Sequence, residues 1–153
     1  LGALLGLASW RIETLALGEH ASVLMKRYWQ SRISFSFPRL RPACGVPTEA
    51  FPHLVTDKNL VQMMLALRLC FADSGIVLST REPAPLRNQL MGLAVTRISA
   101  GSRTSPGGYK DPQANTGQFE VNDSRTPGEV VAVIKGKGLD PVWKDWDGAF
   151  SRP

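Results

Sequence analysis

With 153 residues the chain is one domain or a piece of a larger one. Its 43% hydrophobic and 20% charged residues strike an ordinary globular balance and exclude a disordered, solvating tail. Eighteen Lys and Arg against 13 Asp and Glu leave a charge of +5, but the basic residues are scattered and not interleaved with aromatics, which argues against a nucleic-acid partner.

LGALLGL (1–7) reads as a buried strand, and without an initiator Met it is expected to open in mid-domain. It lacks the basic lead of a signal peptide, and no apolar stretch nears the roughly 18 residues of a membrane span. Residues 9–32 follow with no proline, and Ile12, Leu15, Ala16, Val23, Leu24 and Trp29 recur near helical spacing. ISFSFPRLRP (33–42) alternates Ser with Phe as a strand and is expected to stop at Pro38. Residues 56–75 predict a helix with Thr56 as N-cap and Gly75 just past its end. IVLSTRE (76–82) is the third strand, 83–94 a shorter helix and VTRISAGSRT (95–104) the fourth strand. After a loop rich in Gly, Pro and Asn, Thr126-Pro127-Gly128-Glu129 opens the last helix with a capping box and proline at its first position.

Four βα units with apolar strands predict a parallel sheet joined by right-handed crossovers. Half of an eight-stranded barrel and an open doubly wound sheet both fit this pattern. Polar residues at three successive strand ends favour the barrel: Ser36 with Arg39, Ser79 with Arg81, and Ser99 with Ser102. An open sheet gathers its site at one switch point instead. Arg81 then stands at the barrel mouth, where a guanidinium fork matches a carboxylate and the hydroxyls of Ser79, Ser99 and Ser102 complete a cradle. The plainer reading pairs Arg81 with Glu82 or another rim carboxylate. Gly101 has a plain reading too, as a residue needed for a tight turn.

Seven motifs in order carry a resemblance over the whole chain: GALLGLASWR, SFPRLRPA, LSTRE, ISAGS, PGGY, QFEVNDSRTPGEV and PVWKDWDGAF. Together they resemble the C-terminal half of the 2-iminoacetate synthases, the radical S-adenosylmethionine (SAM) tyrosine lyases of thiamin thiazole biosynthesis. Residues of about 40–147 resemble the region shared by biotin and thiamin synthesis enzymes. The tyrosine lyases of [FeFe]-hydrogenase maturation share PRLRP, STRE and ISAGS but end in a cysteine-rich tail, whereas residues 142–147 here hold no cysteine. The thiamin family is therefore the better match.

The resemblance implies an α/β fold, the C-terminal half of a (β/α)8 barrel of TIM type with about four βα units and a C-terminal tail, spanning 1–153. It implies cleavage of tyrosine to 2-iminoacetate and p-cresol, with SAM and a [4Fe-4S] cluster as cofactors. It also implies cytoplasmic location, no membrane, a flavodoxin-type or other electron donor, and delivery of product to the thiazole synthase of the thiamin pathway. The cluster motif CxxxCxxC is absent here, and Cys44 and Cys70, 26 positions apart, cannot replace its three thiolates. The chain alone is expected to be inert, with Cys44 in a loop and Cys70 on the apolar face of a helix.

The resemblance places Arg81 on the tyrosine carboxylate, supported by Ser79, Ser99 and Ser102. Arg39 and Arg41 are open to three readings, as SAM, substrate or salt-bridge residues, with Arg39 nearer the mouth and preferred. Gly2, Leu4 and Gly6, with Ser36, would approach the adenosyl group; tight strand packing explains the glycines equally well. No residue is singled out as catalytic or as a metal ligand. His20 on a helix surface and His53 in a loop are not expected to act in catalysis. Trp143 and Trp146 are expected to dock the terminal segment or to cover the mouth. A phosphate- or flavin-binding barrel is the rival enzyme class, but the glycines of SAGSRTSPGGY do not lead directly into a helix. The basic balance leaves a non-enzymatic interaction module as the other rival.

Overall fold

Phenylalanine alternates with serine in Ser34-Phe35-Ser36-Phe37, and this period of two decides which side of the sheet each residue meets. In the computed structural model, which describes residues 1–40, 51–104 and 121–143, Phe35 and Phe37 are buried while Ser34 and Ser36 are half-buried. β1 (Ser34–Ser36) pairs in parallel with β2 (Gly75–Leu78), placing Phe35 beside Ile76 and Ser36 beside Val77. β2 pairs in parallel with β3 (Arg97–Ile98), with Val77 beside Arg97 and Leu78 beside Ile98. The strands lie in chain order.

The predicted first strand lies along the other edge of β1. Gly2 is paired with Ser36 and Leu5 with Arg39, both in parallel. The Ser36 N–H donates to the Leu1 carbonyl (2.9 Å), the Leu5 N–H to that of Pro38 (2.8 Å) and the Leu40 N–H to that of Leu5 (2.8 Å). The rung due between residues 36 and 40 falls on Pro38, which has no N–H. Pairing is thus broken into separate bridges but resumes beyond Pro38, where the sequence placed the strand's end.

Among the described residues four helices complete the units: α1 (Trp10–Arg27), α2 (Asp57–Cys70), α3 (Ala84–Leu90) and α4 (Pro127–Gly136). The predicted cap of α2 is present, Thr56 Oγ1 accepting from the Asn59 N–H at 3.2 Å. Its buried stripe is Leu60, Met63, Met64 and Leu67, and each such side chain contributes about 1.5–3 kcal/mol over an exposed one. Phe71 carries the stripe one turn further and packs on Phe35, ring centroids 5.5 Å apart. Cys70, expected on the apolar face, is therefore turned outward and exposed. α3 is shorter than predicted because Met91 leaves helical geometry and Gly92 has φ 81°.

α1 forms where expected, but on a different face. Leu17 and Ala21 are its buried residues, whereas Ile12, Leu15 and Val23 are 65%, 70% and 59% exposed. Trp29 lies beyond the helix end and is also exposed.

The α4 capping box is complete. Thr126 Oγ1 accepts from the Glu129 N–H (3.3 Å), and the Thr126 N–H donates to the Glu129 carboxylate (2.8 Å), which holds that carboxyl below its usual range. Thr126→Ala is expected to lower stability by about 1 kcal/mol, seen as a shifted urea midpoint with unchanged slope.

Leu17 and Ala21, the α2 stripe, and Leu86 and Leu90 of α3 all join one core with Leu5, Phe35, Phe37, Ile76 and Leu78. Three helices thus cover one side of the sheet, while Ser34, Ser36, Val77 and Ser79 on the other side stay half-buried. Among the described residues, one-sided cover and sequential strand order describe a barrel wall; a doubly wound sheet is covered on both faces and reverses its order.

Candidate functional site

The composition of the face opposite α1, α2 and α3 follows from strand register. Ser36, Val77 and Arg97 form one row across β1, β2 and β3. The period of two places Ser79 and Ser99 on the same face, nearer the C-terminal strand ends. Ser99 continues the ladder by donating its N–H to the Leu78 carbonyl at 3.0 Å. At the opposite edge Leu4, 40% exposed, joins Ser34, Ser36, Pro38 and Val77 around a groove of about 440 Å³.

β2 ends in a turn held from two directions. Ser79 Oγ accepts from the Arg81 N–H at 3.4 Å. The carbonyl of buried Thr80 accepts from the N–H groups of both Asn122 and Asp123, each at 3.0 Å. The Arg81 carbonyl accepts from Asn122 Nδ2 at 2.9 Å. Arg81, half-buried, thus leaves the sheet from a fixed stretch of main chain. Ser102 is also half-buried and follows the turn at Gly101, where φ is 62°.

Two ionic networks brace these strand ends. Arg39 is buried; its Nε donates to Glu82 Oε1 (3.0 Å), its Nη2 bonds Glu82 Oε2 and meets Asp57 Oδ1 (2.7 Å), and its Nη1 donates to the Val55 carbonyl (2.9 Å). Burial opposes the charge, but the bonds and charges of Glu82 and Asp57 outweigh it and raise the Arg39 pKa. Of the three readings the sequence offers for Arg39, the geometry supplies the salt bridge. The second network centres on buried Asp123. Arg87, fully buried on α3, donates from Nη1 to Asp123 and from Nη2 to the Ser99 carbonyl. Arg125 reaches the same carboxylate through Nε (2.9 Å), Nη2 (2.6 Å) and its main-chain N–H (3.1 Å), and its Nη1 donates to Asn88 (3.0 Å). Hydrogen bonds from Arg125, against the opposing effect of burial and with the charge of Arg87, lower the Asp123 carboxyl to about 2. Burial lowers the Arg87 pKa despite Asp123.

Several expected positions acquire a plain structural role. A Cβ on Gly2 would lie 2.7 Å from the Ser36 carbonyl oxygen, and one on Gly6, which has φ 117°, would lie 2.9 Å from the Leu40 side chain. Tight strand packing accounts for both glycines. His20 and His53 are exposed. Arg41, Cys44, the PGGY motif and Trp146 lie outside the described residues. Among the described residues no group of three or more His, Cys, Asp or Glu could hold a metal ion, and no helix is long and apolar enough to cross a membrane.

Sequence reasoning assigned no role to Asn122, Asp123, Arg125 or Arg87. One signal for Arg87 was present: it shares the helical stripe of buried Leu86 and Leu90, where a charge requires a partner.

This fold and this site define a barrel-wall segment with hydroxyls and an arginine on anchored main chain at its strand ends. The chain belongs to the biotin and thiamin synthesis associated domain family, whose sequence model matches residues 36–140. It is 43% identical over 153 residues to the 2-iminoacetate synthases of Salmonella typhimurium (strain LT2) and Escherichia coli (strain K12), covering 99% of this chain and 40% of each of them. The chain thus spans about two fifths of the length of these curated relatives. Among solved structures, HydG, a maturase of the [FeFe]-hydrogenase, superposes with a TM-score of 0.86 and 35% identity, covering 94% of this chain and 31% of HydG. HydG from Carboxydothermus hydrogenoformans gives 0.73 and 34%, covering 90% and 31%.

Proposed function

We propose that this chain is the substrate-facing part of a radical SAM lyase that cleaves tyrosine to 2-iminoacetate and p-cresol for the thiazole of thiamin. The observation that carries this reading is 43% identity to the 2-iminoacetate synthases along 99% of the chain, against 35% to HydG. Arg81 would take the tyrosine carboxylate in its guanidinium fork, with Ser79, Ser99 and Ser102 donating hydroxyl hydrogen bonds around it. Ser36 and Leu4, which border the groove at the other edge, would meet the adenosyl group of SAM. Leu4 and Val77 would give the bound substrate an apolar floor on this face.

The cofactors supply the radical chemistry when bound; the chain supplies position. Two cysteines in the whole sequence do not fit a cluster that needs three thiolates, so its ligands must come from outside these 153 residues. Arg39 belongs here to the brace beneath the site. A flavodoxin-type donor, transfer of product to the thiazole synthase, and a cytoplasmic setting complete the reading by resemblance.

The test is a hybrid in which this chain follows the N-terminal portion of the Escherichia coli relative. Reconstituted with iron and sulfide, and supplied with SAM and a one-electron reductant such as dithionite, it should release p-cresol from tyrosine. A hybrid that binds its cluster and cleaves SAM yet leaves tyrosine intact would refute the assignment.

A further inference from the structure

We infer that Asn122 is a positioning residue for Arg81, fixing the main chain from which that guanidinium reaches substrate; the inference rests on the anchor role proposed above for Arg81. Asn122 Nδ2 donates to the Arg81 carbonyl (2.9 Å), and the N–H groups of Asn122 and Asp123 both donate to the Thr80 carbonyl (3.0 Å each). Two consecutive carbonyls at the end of β2 are therefore held by two consecutive residues of a segment more than 40 positions away. That segment is itself immobilised, since the Asp123 carboxylate is bound by both Arg87 and Arg125.

The same segment reaches the neighbouring strand end. The Gly101 N–H donates to the Arg125 carbonyl (3.1 Å), and Arg87 donates to the Ser99 carbonyl. One short stretch, 122–125, thus sets the spacing between the turn that carries Arg81 and the turn that carries Ser99 and Ser102. A fork of donors recognises a carboxylate only when its origin is correctly placed, and a shift of about 1 Å in a positioning contact is costly. Within this clamp the Asn122 amide is the separable part. The residue is exposed, and its main-chain bond to Thr80 survives loss of the side chain.

The experiment uses the hybrid enzyme and reads tyrosine affinity by equilibrium dialysis, beside SAM affinity and melting temperature. Asn122→Ala removes one neutral hydrogen bond and should weaken tyrosine binding roughly three- to tenfold, leaving SAM affinity and melting unchanged. Asn122→Asp, which keeps the shape and has no donor, should weaken it as well. Arg81→Lys is measured in parallel. If Arg81→Lys weakens tyrosine binding but both Asn122 variants bind it as the unsubstituted hybrid does, the positioning role is wrong and the anchor role stands. If all three bind tyrosine normally, the anchor role falls and the inference with it. A joint loss of tyrosine affinity, SAM affinity and melting temperature in the Asn122 variants would make Asn122 a folding residue and overturn the inference.

Discussion

Asp123→Ala is expected to cost the hybrid enzyme about 3–5 kcal/mol of stability, because it leaves a buried guanidinium without its counter-charge. Arg87 is fully buried and its Nε has no hydrogen-bond partner among the described residues, so removal of the carboxylate leaves the Ser99 carbonyl as its hydrogen-bond acceptor there. Urea unfolding measures the loss directly. Arg87→Met combined with Asp123→Leu should recover part of it, since the fully buried guanidinium goes with its carboxylate and only the half-buried Arg125 is left without that partner. The acid limb supplies a second check. Asp123 is held at about 2 against an ordinary 3.8, so its carboxyl is harder to protonate in the folded state. Its contribution, on the order of 2 kcal/mol, is complete above about pH 5 and is lost progressively as the pH falls through the folded-state value of about 2. Asp123→Asn should flatten stability across that window. An Asp123→Ala variant that unfolds at the unsubstituted midpoint would show that Arg87 finds other compensation.

What the sequence made legible was local. Alternating Ser and Phe oriented β1, and Thr56 and Thr126 marked two helix starts, because each signal is confined to a few neighbouring residues. The facing of α1 was not legible. Ile12, Leu15 and Val23 have helical spacing, yet the helix docks through Leu17 and Ala21, with Gly18 near Phe71. Two stripes on one helix satisfy the same periodicity, and the small residues that permit close approach leave a fainter trace than the large ones outside. The candidate site divides in the same way. Strand ends with Ser79, Arg81 and Ser99 could be read directly from where apolar runs stop. The role of Arg39 depended on Glu82, 43 positions away, and that of Arg87 on Asp123, 36 away. Buried ion pairs of this range have no local pattern, so the pairing of Arg39 with Glu82 left no trace in a sequence that favoured Arg39 as a substrate residue.

Arg81→Lys in the hybrid enzyme should impair tyrosine cleavage while SAM affinity stays close to that of the unsubstituted enzyme. Lysine keeps the charge but offers a point donor where a carboxylate accepts two parallel bonds. The main-chain frame at this position survives the change, because Ser79 Oγ and Asn122 Nδ2 bind the N–H and carbonyl of residue 81 and not its side chain. The change therefore alters the side chain and leaves these two main-chain bonds in place. One charge-assisted hydrogen bond is worth on the order of 1.5–3 kcal/mol, or about ten- to a hundredfold in tyrosine affinity. Poor alignment of the substrate lowers turnover further, since the reacting atoms must meet at close range. The expected signature is SAM consumption that continues while p-cresol falls out of proportion to it. Equilibrium dialysis of tyrosine and the ratio of the two products measure both parts of the effect. If Arg81→Lys binds tyrosine and forms p-cresol as the unsubstituted hybrid does, Arg81 serves only the rim of the sheet, and the carboxylate must be held elsewhere.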